Sequence, residues 1–202
     1  VPNYLQLDHA EISFERQQKH LNINSDQVPH IAQVGFMFRT DRQLADFQNE
    51  QTQKAFIREI YQDMGWETNH ILTLMDDSDD LYFDAITQVK MSDWTHDRVA
   101  LLGDAGYCAS PLSGQGTSLA LVGAYILAGE LQAANGDHQK AFQKYNQLMR
   151  PFVDANQAFG AWVGETFLLQ QEMSKEASEK RTLEIMDRLR QVANAISLPR
   201  YN

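Results

Sequence analysis

The chain has 202 residues, a formal net charge of −10 and 43% apolar residues. That length and apolar share suffice for one large core or two small ones, while the negative balance argues against nucleic acid and against an anionic membrane surface. A single cysteine, Cys108, excludes a disulfide framework or a cysteine zinc site within the chain. With no signal peptide or spanning segment in view, a reducing cytoplasm is the default compartment.

From Tyr4 to Arg39 the residues alternate as short strands do. Ile12 and Phe14 alternate with Glu11, Ser13 and Glu15, and Leu21 and Ile23 with His20, Asn22 and Asn24. Val34, Phe36 and Phe38 share one face of a third run. Polar connections at Gln17-Gln18-Lys19 and Asn24-Ser25-Asp26 make this an antiparallel meander with one face to be covered. Residues 43–64 then read as a helix striped by Phe47, Phe56, Ile57, Ile60 and Tyr61 and ended by Gly65. A short helix near Thr68 to Met75 precedes the acidic run Asp76-Asp77-Ser78-Asp79-Asp80. That run lacks the spaced ligands and closing glutamate of a calcium loop, so it reads as a solvated turn.

Tyr82 to Met91 reads as a long strand, with Phe83, Ala85, Val89 and Met91 on one face and Tyr82, Asp84, Ile86 and Gln88 on the other. A short apolar strand, Val99 to Leu102, follows. Gly103-Asp104 closes it and leaves a lone carboxylate at its C-terminal end, the edge where ligands sit in open α/β sheets. Pro111 stiffens the next loop, and Ser113-Gly114-Gln115-Gly116 leads into a helix from about Thr117 to Leu131. Small residues let a ligand approach the backbone, and the first helical N–H groups are unpaired and electropositive. These pieces suit something flat and partly anionic. No charge occurs between Asp104 and Glu130, but six glycines from Gly103 to Gly129 and Pro111 argue for a buried helix over a membrane span.

After Asn135-Gly136, Asp137 is a candidate N-cap. Ala141, Phe142, Tyr145, Leu148, Met149, Phe152 and Val153 keep helical spacing, with a kink or break expected at Pro151. Helix resumes from Gly164, with Glu172 to Arg181 charged and exposed. Leu183, Met186, Leu189, Val192, Ala193 and Ile196 line one side, for packing on the chain's own core or against a partner or second copy.

The run from Arg98 to Leu131 (strand, Gly-Asp, Pro, Gly-x-Gly, helix) resembles the second FAD-binding motif of the flavin monooxygenases related to para-hydroxybenzoate hydroxylase. The resemblance implies that Gly103 and Asp104 bind the ribityl chain of FAD, that Gly114, Gln115, Gly116 and Thr117 offer backbone N–H groups to the ring, and that Pro111 lies near its reactive face. Tyr107, Ser118 and Gly123 depart from the residues most frequent at those places: histidine, asparagine and an acid. The strand before the motif corresponds to the one that returns from the family's substrate domain, which makes Tyr82, Asp84 and Gln88 candidates for substrate contact. Facing solvent or pairing across the sheet is the competing reading.

The resemblance covers only the C-terminal part of the family, and no Gly-x-Gly-x-x-Gly turn for the ADP half of FAD occurs here. The chain therefore reads as a fragment of α/β (α+β) class with a partial FAD/NAD(P)-binding fold. An antiparallel substrate-domain sheet with helices fills 1–96, the second half of the FAD domain 97–135, and C-terminal helices 136–202.

Other chemistry is weak. The histidines at 9, 20, 30, 70, 96 and 138 form no metal-ligand pair, Ser113 lies outside any nucleophile elbow, and Cys108 suits a small buried role better than a redox one. The resemblance implies an FAD-dependent monooxygenase that passes one oxygen atom to a small organic, often aromatic, substrate with NADH or NADPH as reductant. It offers no catalytic acid or base beyond Tyr107, which suits packing equally well. The alternatives are a non-catalytic binding module, a related halogenase or reductase, and a helical adaptor, which would have no need of the charge-free, Gly-rich turn.

Overall fold

The computed structural model describes residues 1–25, 28–168 and 174–201. They form two compact units, one built on residues 1–85 and the other on 86–166 and 174–201. In the first, β1 (Ala10–Arg16), β2 (Lys19–Ser25) and β3 (Gln33–Phe38) make the expected antiparallel meander in the order β1-β2-β3. Its register places Phe14, Leu21 and Phe36 in one cross-strand row and Ile12, Ile23 and Val34 in the next, so the alternation of the sequence becomes one apolar face. Gln17 and Gln18 both take positive φ (52° and 63°), the pattern of a two-residue hairpin turn.

Two helices cover that face. α1 (Glu50–Tyr61) begins later than the sequence periodicity suggests because Asn49 caps it, accepting from Thr52 N at 2.9 Å; a 3-10 turn, Leu44–Asp46, precedes it. α2 (Thr68–Asp76) lies where the sequence puts it. Leu21, Ile23, Ile57, Tyr61, Ile71 and Leu72 are buried together. The Tyr61 hydroxyl sits 2.9 Å from His20 O and 2.8 Å from Met37 O, tying α1 to two strands, and burial pushes its pKa up.

The expected strand over Tyr82–Met91 is not one: among the described residues it pairs with no strand. The boundary between the units falls inside it, at Ala85 and Ile86, so its alternation serves two different surroundings. The expected strand Val99–Leu102 shrinks to β5 (Val99–Ala100), which pairs antiparallel with β4 (Thr95–His96).

The second unit continues with α3 (Asp104–Tyr107), α4 (Gly116–Ala133), α5 (His138–Leu168) and α6 (Lys175–Ala193). Its core joins Trp94, Tyr107, Leu119, Ile126, Tyr145 and Phe152. Of the kink or break expected at Pro151 there is no break: helix α5 continues through it. Burial of Met149, Phe152 and Val153 on both sides of the proline offsets a cost of about 3 kcal/mol. On α6, Leu183 and Met186 are exposed, at 66% and 43%, while Ile196 beyond it packs on the core. Glu172 and Met173, part of the charged stretch expected before this helix, lie outside the described residues.

Candidate functional site

The turn from Gly103 to Thr117 gathers the flavin-motif residues in the second unit. Gly103 has φ +63° and ψ −139°, a conformation that suits glycine, and a Cβ there would press on Ala120 at 3.2 Å. The chain can therefore turn sharply against α4 and present Asp104 at the start of α3. Asp104 is exposed, and its carboxylate has no hydrogen-bond or ion-pair partner among the described residues. It lies beside the turn: a Cβ built on Gly116 would be 3.9 Å from Asp104 Oδ1.

The loop is built by local bonds. Ser110 takes φ +73°, a strained region for a residue with a side chain, and its carbonyl accepts from Ser113 N (3.1 Å) and Ser113 Oγ (2.9 Å). Pro111–Ser113 forms a 3-10 turn closed by Gly114 at φ +61°. Gly114 N–H donates to Pro111 O at 3.0 Å and Gln115 N–H to Ser113 Oγ at 3.2 Å. Two of the four N–H groups expected to face a ligand are thus already used. Those of Gly116, Thr117 and Ser118 have no partner among the described residues, and no side chain caps α4. The positive end of an 18-residue helix is left open beside a free carboxylate. A Cβ at Gly114 would meet nothing within 4 Å, so the turn opens onto free space.

Behind the loop stands α5. A Cβ on Gly160 would come 2.5 Å from Ala109 O, and one on Gly164 would come 3.1 Å from Leu112, so two glycines one helical turn apart let the loop rest on the helix. Gln88 Nε2 donates to Ala109 O (3.1 Å) and Gln157 O (2.7 Å); Gln157 Nε2 donates to Val89 O (2.7 Å) and Cys108 O (3.2 Å). Gln157 and Gly160 were not singled out from the sequence, and Gly164 was read there only as the point from which helix resumes.

The other candidates fall elsewhere. In the first unit, the Tyr82 hydroxyl donates to Asp84 Oδ2 at 2.8 Å; this bond raises the Tyr82 pKa, and the side chain stands exposed. Gln88 belongs to the second unit, with both amide hydrogens on backbone carbonyls. Tyr107 is fully buried. The Tyr145 hydroxyl lies 3.0 Å from that of Tyr107 and 2.9 Å from Leu101 O, and burial first, then Tyr107, pushes the Tyr145 pKa well up. Both phenols pack in the core of the second unit. Cys108 is half-buried, its Sγ 3.9 Å from Thr87 O. Among the described residues no three His, Cys, Asp or Glu side chains cluster as metal ligands, and no helix is long and apolar enough to cross a membrane.

Comparison with known proteins places these features in a family context. The model of an FAD binding domain matches residues 9–159. A flavin-dependent monooxygenase of Legionella longbeachae serogroup 1 (strain NSW150) is 56% identical over 201 residues, covering 100% of this chain and 52% of the relative. Among solved structures, the tetracycline destructase Tet(55) superposes with a TM-score of 0.93 at 54% identity, and Tet(51) with 0.85 at 53%. Each match covers the whole chain and 53% of the other. The chain thus spans about half the length of the relatives it matches.

Proposed function

The chain belongs to the FAD-binding family of flavin-dependent monooxygenases, and on that premise we propose that it is the C-terminal part of an enzyme inserting one oxygen atom into a small organic substrate, with NAD(P)H as reductant. The proposed substrate is a tetracycline, because Tet(55) and Tet(51) match the chain end to end at 54% and 53% identity. We further propose that the chain does not turn over alone and needs the ADP-binding part that its longer relatives have room for.

One observation supports this reading above the others: an Asp104 without a partner among the described residues, beside the uncapped N-terminus of α4 in a turn open to solvent. FAD fits that donor set. An ionised carboxylate only accepts hydrogen bonds, which suits it to the hydroxyls of the ribityl chain. The N–H groups of Gly116 and Thr117, backed by the helix dipole, suit the pyrimidine end of the ring, where negative charge gathers on reduction. When bound, FAD supplies the redox and oxygen chemistry. The chain's own contributions are to hold the ring by Asp104 and α4 and to shield it from water with the Pro111 loop.

The test begins with a visible spectrum after desalting, for the chain with FAD alone and for the chain joined to the first half of the Legionella relative. The joined protein retains flavin bands and consumes NADH or NADPH when tetracycline is added. Asp104→Ala leaves the far-ultraviolet circular dichroism unchanged and weakens FAD binding roughly ten- to a hundredfold, as expected for hydrogen bonds to a charged group. Undiminished flavin content in that variant would overturn the role given to Asp104; flavin retention without tetracycline-dependent turnover would overturn the substrate.

A further inference from the structure

The two glutamines behind the flavin loop form a reciprocal arrangement. Gln88 Nε2 reaches the backbone carbonyl of Gln157, and Gln157 Nε2 reaches that of Val89, the residue after Gln88. The remaining amide hydrogens go to the adjacent carbonyls of Ala109 and Cys108. Both NH2 groups are therefore fully used, and all four acceptors are main chain. Val89 N–H adds a bond to Cys108 O at 3.1 Å. Gln157 is 7% exposed and Gln88 is half-buried, so these bonds are partly sheltered from competing water.

Three separate stretches meet here: the connecting segment at 88–89, the loop at 108–109 and α5 at 157. The two clamped carbonyls immediately precede Ser110, whose positive φ needs support from outside the loop. Gly160 supplies the floor, admitting Ala109 O and Ser110 Oγ where any side chain would intrude. Beyond this anchored end the chain runs freely through Pro111 to the open N–H groups of α4.

We propose that Gln88 and Gln157 are positioning residues for the flavin: they fix Cys108–Ala109 on α5 and thereby set where Pro111 and the α4 N-terminus meet the ring. Gln88 then acts through the loop and not by touching substrate. This rests on the flavin reading above, so the test has one arm that needs no flavin.

In the first arm, amide hydrogen exchange is followed in this chain and in its Gln88→Glu, Gln157→Glu and Gly160→Ala variants. The glutamates keep the side-chain volume but turn an acceptor toward carbonyls that need donors. Gly160→Ala strikes the same loop by bulk alone, so it still reads the loop if a glutamate variant fails to fold. Exchange across 108–116 quickens about tenfold or more, while the helical stretch 141–153 keeps its protection. In the second arm, the chain joined to the first half of the Legionella relative is titrated with FAD. The variants bind about tenfold more weakly, and the visible bands of the flavin that does bind shift.

A lower melting temperature with unchanged exchange at 108–116, or quickened exchange with an unshifted flavin spectrum and affinity, would overturn the proposal. An unaltered joined protein that takes up no FAD would defeat the flavin reading itself, and the exchange arm would then report only a structural clamp.

Discussion

Asp104 and Tyr107 are three residues apart and have opposite fates, the one exposed and the other fully buried. Gly123 is a seat for Tyr107: a Cβ there would overlap the Tyr107 hydroxyl and come 3.0 Å from Leu102. The Tyr107 hydroxyl needs that seat to meet Tyr145, which in turn bonds Leu101 O, so α4, α5 and the end of the β4–β5 hairpin are joined through two phenols. Gly123→Ala should therefore destabilise the second unit by about 1–3 kcal/mol from overpacking, less a helix-propensity gain of at most about 1 kcal/mol. Tyr107→Phe alone should cost about 1 kcal/mol, the worth of one buried hydrogen bond. Together the two substitutions should cost less than their sum, because the phenylalanine removes the atom that the new methyl strikes. Thermal melts of the four proteins measure that coupling; strict additivity would show that Gly123 is not spacing for Tyr107.

At the level of elements, the same device recurs at the far end of α4. A Cβ on Gly129 would overlap the Tyr201 ring, Tyr201 donates to Glu130 Oε1 at 2.8 Å, and Tyr125 donates to Pro199 O at 2.8 Å. The tail after α6 is thus strapped along the helix that presents the open N-terminus. Gly129→Ala should dislodge the tail, seen as faster exchange after Ser197, without melting α4. With the residues after Ser197 removed, the same substitution should leave the chain at least as stable as it was with glycine, since only alanine's better helix propensity remains; a persisting loss would mean that the glycine serves something other than the tail. Such notches were not legible in the sequence, where a glycine inside a helix looks the same whatever lies against it. The meander and α2 were legible because alternation and helical period record which face is buried. Tyr82–Met91 alternates as cleanly as Leu21–Ile23 does, yet forms no strand, because a ladder depends on a neighbour that the segment itself does not encode. The Gly-Asp turn and the start of α4 were legible for a different reason: glycine and proline act on the local backbone directly. Which N–H groups stayed free was decided by Ser113 and Pro111 and appeared only in the structure.

For the molecule as a whole, the telling feature is the outward face of α4. The helix carries no charge before Glu130, but Leu121 is 66% exposed and Tyr125 44%, with Thr117, Ala124 and Ala128 exposed beside them. The tail reaches Tyr125 and leaves Leu121 uncovered. Relatives about twice this length have a further part available to cover such a face, and the occupant proposed here is the ADP-binding part that the flavin reading calls for. Leu121→Glu separates this from an ordinary exposed leucine because its effect should change sign with context. In the chain alone the substitution should leave the melting temperature within a degree or two and reduce concentration-dependent association, since it only replaces exposed apolar surface with charge. In the protein joined to the first half of the Legionella relative, the same glutamate would be buried without a partner, and about 2 kcal/mol or more of stability should be lost. Calorimetry on the two proteins with and without the substitution decides the matter. An equally small effect in both would mean that this face remains in water, and the ADP-binding part would then have to dock elsewhere on the chain.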